Sequence, residues 1–148
     1  MIQDLKFLFD RELTKLSQEI ESYQSEENLW KVDGQITNSG GALCVHLCGN
    51  LRAFIGKEIG GIDYVRDREF EFSGIPVPRE KLIEEIKEAR SCVSKSLDGL
   101  SENQLPDKFP IQPFPRELTY QNFLLHLYGH LNYHLGQINY HRRLFDQN

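Results

Sequence analysis

Leu5, Leu8, Phe9, Leu13, Leu16, Ile20 and Tyr23 recur mostly at steps of three and four, so they line one face of a 3.6-residue helix. The polar run from Gln24 to Asn28 ends that helix. Residues 29–37 alternate too little to specify strands and read as a loop. Asn38 and Ser39 then suit a helix N-cap, because short polar side chains accept hydrogen bonds from the free N–H groups of a first turn. A second, buried helix is predicted over 40–55, although each interior glycine costs about 1 kcal/mol against Ala. Its small residues are expected to let another backbone approach. Gly60 and Gly61 stop it, and 62–72 mixes charge with aromatics before a turn at Pro76 and Pro78. A third helix begins near Arg79, with Leu82, Ile83, Ile86, Ala89, Val93 and Leu97 at helical steps. The linker with Pro106, Pro110, Pro113 and Pro115 cannot be helical. The last helix opens at Arg116 and runs to about Phe145. Four helices with two long connections predict an all-α fold: a four-helix bundle with crossovers, forming a single domain over 1–148.

Composition narrows the function. The chain has 148 residues, 39% hydrophobic and 26% charged, which is enough to bury a full core. With 22 acidic against 17 basic residues the net charge is -5, and no basic patch builds up, which argues against nucleic acid as a partner. There is no apolar run of membrane-spanning length, and Met1-Ile2-Gln3-Asp4 leads directly into an amphipathic pattern. A cytoplasmic protein with no membrane partner is expected. Cys44, Cys48 and Cys92 lack a disulfide-framework spacing, which fits a reducing compartment.

The candidate chemistry lies in the histidines. His126, His130, His134 and His141 sit on the last helix, and His46 stands alone on the second. At 100° per residue, all four helical imidazoles fall within a stripe roughly 80° wide that borders the apolar arc. His134 lies closest to the core and His126 farthest from it. About 12 Å of rise separates His126 from His134, too far for both to hold one ion at about 2.1 Å. His130 with His134 is the favoured pair, and His46 supplies a distant third imidazole, the minimum for an open metal site. His126 is left as an exposed or supporting residue, and His141 is too remote by rise. Cys44 and Cys48 share a face that His46 does not, which argues against a Cys-His-Cys site inside that segment, and the thiols are expected to pack as small apolar groups. On the His46 side, Gly49 leaves room beside the imidazole and Asn50 offers an amide.

Other motifs are missing. No His-Glu-x-x-His supplies a built-in general base, and no Glu-x-x-His marks a di-iron bundle. The run Arg66-Asp67-Arg68-Glu69 reads as a solvated loop or as an anion-binding arginine over the mouth of the site. Trp30, Tyr64, Phe70 and Phe72 line a pocket or pin their loops to the core.

His46 with His130-x-x-x-His134 and the following Gly136-Gln137 resembles the DinB-like (YfiT-like) superfamily of bacterial metal proteins. Asn38-Ser-Gly-Gly, His46-Leu-Cys-Gly-Asn50-Leu, Tyr64-Val-Arg-Asp-Arg and Tyr133-His-Leu-Gly-Gln-Ile-Asn-Tyr-His-Arg-Arg143 look like one branch of it, and the likeness covers nearly the whole chain. The resemblance implies an up-down-down-up bundle, frequent homodimers, and zinc or nickel held by His46, His130 and His134. His126 and His141 are imidazoles beyond that triad and leave a second ligand choice open. Characterised relatives include S-transferases and isomerases that use bacillithiol, mycothiol or glutathione.

The leading expectation is thus a metal-dependent thiol S-transferase acting on a small thiol and an electrophile. Three neutral ligands leave the ion's full charge to lower the pKa of a bound thiol or water. Asn50 and Gln137 would orient imidazoles. Arg66 or Arg68 would hold a substrate carboxylate, and His126 would shuttle protons. The alternatives are a non-catalytic metal-binding or stress-response module, and a metal-free histidine stripe at a pH-sensitive dimer interface.

Overall fold

Phe9, Leu13, Leu16 and Ile20 lose all solvent contact in the first helix, α1 (Ile2–Ser22), as their spacing requires. The computed structural model describes residues 1–147. A short 3₁₀ turn (Glu26–Trp30) and a loop lead to α2 (Gly40–Leu51), where the Ser39 side chain accepts a hydrogen bond from Ala42 N at 3.2 Å. The expected helix over 40–55 is not α-helical throughout. Arg52–Lys57 widen into a π-helical turn, with Gly60 N bonding to Ile55 O at 3.0 Å. Gly61 then reverses the chain at φ 67°, a conformation that disfavours any side chain.

A four-residue helix not foreseen from the sequence, α3 (Arg68–Glu71), follows. It is too short to show periodicity, and it is set by Asp67, whose side chain accepts from Phe70 N at 3.0 Å. α4 (Arg79–Asp98) buries Leu82, Ile86, Ala89, Val93 and Leu97 as expected. The Pro-rich linker delays the last helix by four residues. α5 (Tyr120–Phe145) starts after Thr119, which accepts from Asn122 N, while Gln112 pins the linker by accepting from Leu118 N at 2.7 Å.

The fold is all-α. α1 packs on α4 and α5, and α2 packs on the same two, around one apolar core drawn from all four long helices. The glycines of α2 admit side chains, not the backbone expected from their size. A Cβ at Gly40 would strike the Tyr23 hydroxyl, one at Gly41 would lie 2.7 Å from the Trp30 ring, and one at Gly49 would strike the Glu71 carboxylate. Among the described residues no helix is long and apolar enough to cross a membrane.

Candidate metal centre

The middle of α2 faces the middle of α5, and the facing residues are histidines. One ring nitrogen each from His46, His130 and His134 lies within 4.8 Å of the others, and no further His, Cys, Asp or Glu among the described residues joins the group. His46 Nε2 and His130 Nε2 are 3.1 Å apart. Two nitrogens bound tetrahedrally to one zinc would be separated by about 3.3 Å, so this pair nearly has a ligand spacing.

The outer ring nitrogens determine which lone pairs face inward. His46 Nδ1 lies 2.9 Å from Glu71 Oε1. A carboxylate only accepts, so Nδ1 carries the proton and Nε2 presents its lone pair to the cluster. His134 Nδ1 likewise donates to Gln137 Oε1 at 2.7 Å, leaving its Nε2 free. Only His130 has no such guide. Its buried Nδ1 has no partner, and neither does the buried Oδ1 of Asn50. Since His46 faces His130 while Phe54 packs on Phe123 (4.9 Å between rings), the helices run antiparallel and Asn50 falls between these two contacts.

Glu71 is the residue of the candidate site that the sequence reading missed. It is buried on α3, and besides the His46 proton it accepts two bonds from Arg66, Nε to Oε2 at 2.8 Å and Nη2 to Oε1 at 2.9 Å. Gly49 leaves the space it occupies. That glycine, one turn from His46, was the available signal, because it implied a neighbour beside the imidazole. Burial pushes the Glu71 carboxyl up, but hydrogen bonds from His46 and Arg66 outweigh it and hold it below its ordinary value. Burial, then the neighbouring imidazoles of His134, His46 and His126, push His130 down to about 4. Burial lowers His134 too, against the bond to Gln137. Neutral imidazoles are the form a metal requires.

The remaining candidates go elsewhere. Arg66 is committed to Glu71 and does not stand free over the mouth. Arg68 is exposed over the Phe72 ring, at 5.6 Å. His126 lies outside the cluster, exposed between Phe114 and Phe123. His141 is buried, as the angular reading did not foresee: Nε2 donates to Lys31 O at 2.8 Å, and Nδ1 accepts from the Tyr23 hydroxyl at 2.7 Å. The Cys44 and Cys48 thiols are buried, and Cys44 is pushed well above its usual range by its bond with Cys48 and by burial. The four loop aromatics take separate partners: Trp30 covers Gly41, Tyr64 lies under Arg52, Phe72 packs on His46, and Phe70 is exposed. A cleft of ≈ 690 Å³ is lined by Leu43, Tyr133, Gln137, Tyr140, His141 and Leu144 among others; it shares Gln137 with the cluster, but His46, His130 and His134 do not line it.

A family described as "Protein of unknown function (DUF1572)" matches residues 2–148. The chain belongs to this family. Among solved structures, a conserved protein of Enterococcus faecalis is similar in fold, with a TM-score of 0.78 at 16% identity, covering 98% of this chain and 96% of that one. No curated protein matches the chain. The DUF1572 chain thus shares its fold with a protein whose name states no activity, and its chemistry must be argued from the cluster.

Proposed function

We propose that this DUF1572 protein is a DinB-like, divalent-metal-dependent enzyme, with zinc or nickel held by His46, His130 and His134 and a thiol S-transfer reaction as its activity. The reading takes the four long helices as an up-down-down-up bundle. The observation that carries it is the tautomer control: Glu71 and Gln137 each hold a proton on the outer nitrogen of a histidine, so two lone pairs converge where His130 Nε2 also points. With the outer nitrogens so held, it is the Nε2 atoms of His46 and His134 that turn to the cluster, whereas His141 spends both of its nitrogens on a carbonyl and a hydroxyl.

The residues divide the work as follows. His46, Glu71 and Arg66 form a buried relay of fixed orientation, in which Arg66 neutralises the carboxylate that polarises His46. Gln137 fixes the His134 ring. Asn50 Oδ1, unpartnered and on the facing helix, is the acceptor available to His130 Nδ1–H once Nε2 is used. When bound, the ion would supply Lewis acidity that favours the thiolate of a low-molecular-weight thiol at neutral pH.

An open three-histidine set favours this enzyme reading over a module in which metal only stabilises the helices, because a structural site normally closes with a fourth protein ligand. The test is elemental analysis of the purified protein, followed by a screen of bacillithiol, mycothiol and glutathione against electrophilic acceptors. About one zinc or nickel per chain and thiol consumption that a chelator abolishes are expected. A metal-free protein, or a loaded one inert to every thiol, would sink the transferase reading.

A further inference from the structure

The ≈ 690 Å³ cleft lies outside the histidine cluster, and its volume is that of a small-molecule site. It is lined by α5 from Tyr133 to Leu144, by the loop at 35–38 and by Leu43 of α2. Tyr133 and Tyr140 are 65 and 70% exposed there. Gly136 stands between them, and a Cβ added to it would meet nothing within 4 Å. Glycine is the weakest helix former after proline, yet it sits here where alanine would fit. Within the chain nothing uses the space left by the missing side chain. A molecule lying between the two rings would.

The spacing of the rings indicates what kind of molecule that is. Tyr133 and Tyr140 are seven residues apart, which is about 10.5 Å of rise and about 20° of turn. A planar ring midway would lie about 5 Å from each, within the range at which aromatic rings stack or meet edge to face. Leu43 and Leu144 add apolar surface to the same cleft.

Charge indicates the rest. The chain has 22 acidic residues, but none lines the cleft among the described residues. Arg143 is the one permanent charge there. Its guanidinium lies 5.2 Å from the centre of the Tyr140 ring and meets no carboxylate among the described residues, whereas the adjacent Arg142 is bound to Glu19 at 2.7 Å. Gln137 gives its Oε1 to His134, which leaves its NH₂ group as a donor to an occupant. His141 offers nothing, because both its nitrogens are taken.

We propose that this cleft binds a small aromatic carboxylate, with its ring between Tyr133 and Tyr140 over Gly136 and its carboxylate on Arg143. The inference does not rest on the metal reading, since no candidate metal ligand lines the cleft.

Titration calorimetry of the full chain should show one cinnamate bound per chain. Cinnamyl alcohol, which keeps the ring and loses the charge, and octanoate, which keeps the charge and loses the ring, should each bind at least tenfold more weakly. Arg143→Gln should weaken cinnamate at least tenfold and leave cinnamyl alcohol unchanged. Gly136→Leu fills the gap between the rings and should abolish binding. Gly129→Leu, on the same helix but outside the cleft, should not. Both leucines raise helix propensity, and circular dichroism should show undiminished helix in each. No heat from cinnamate up to a few millimolar, equal affinity for the three probes, or full binding by Gly136→Leu would overturn the proposal.

Discussion

His134 and His141 stand seven residues apart on one helix, within about 20° of each other around its axis, yet the fold treats them oppositely. His141 has both ring nitrogens occupied, one by the Lys31 carbonyl and one by the Tyr23 hydroxyl. His134 has one nitrogen held by Gln137 and the other left toward His46 and His130. The residue type, the helix and the face are the same. What separates a brace from a candidate ligand is the number of hydrogen-bond partners the surroundings provide, two for His141 and one for His134.

The sharpest way to break this contrast is to remove each histidine in turn. His46→Ala or His134→Ala should take metal content from about one ion per chain to near zero by elemental analysis, while His141→Ala should leave it unchanged. Loss of metal in His141→Ala, with the fold intact, would erase the distinction. Next in size is the partner on the outer nitrogen. Glu71→Gln cannot accept the His46 proton with a charge and should weaken metal binding by about 10- to 100-fold in a chelator competition. On the bracing side, Tyr23→Phe strips the buried His141 Nδ1 of its donor and should cost about 1–3 kcal/mol in urea denaturation, with metal affinity untouched.

The smallest effect is a slope with pH in the metal-free protein. His130 titrates near 4 when folded against 6.5 as the ordinary value, and His134 and His141 are lowered too, all by burial first. Between those values the unfolded chain binds protons that the folded chain refuses. Stability is therefore full above about pH 6.5 and declines as pH falls toward 4. Denaturation midpoints across that window should show the decline, and His130→Gln should flatten it. A midpoint that rises on acidification would contradict the assignment.

The sequence made the local parts legible. Three- and four-residue steps marked α1 and α4, Ser39 marked the start of α2, and i, i+4 spacing brought His130 and His134 together. Gln137, three residues from His134, was also within reach of such reasoning because its bond is made inside one helix. What could not be read lies across the fold. Glu71 meets His46 over 25 positions, and Tyr23 meets His141 over 118, so neither partner leaves a periodic trace. α3, at four residues, is barely one period of the signal that finds helices, too short for a repeat to show. The π turn at Arg52–Lys57 preserves an apolar pattern that reads as ordinary helix, so the altered ladder was not visible in it.

Gly49 contributes no atoms beyond its backbone, yet it decides whether the His46 relay can exist, because the volume it omits is the one the Glu71 carboxylate fills. In genetic terms positions 49 and 71 form an epistatic pair. Alanine at 49 should be tolerated only when residue 71 is shortened, so Gly49→Ala should behave like loss of Glu71, and adding Glu71→Asp should recover part of the metal affinity. Position 49 would then score as functionally essential in a mutational scan without ever touching a ligand. Its intolerance would be inherited from a carboxylate twenty-two residues downstream.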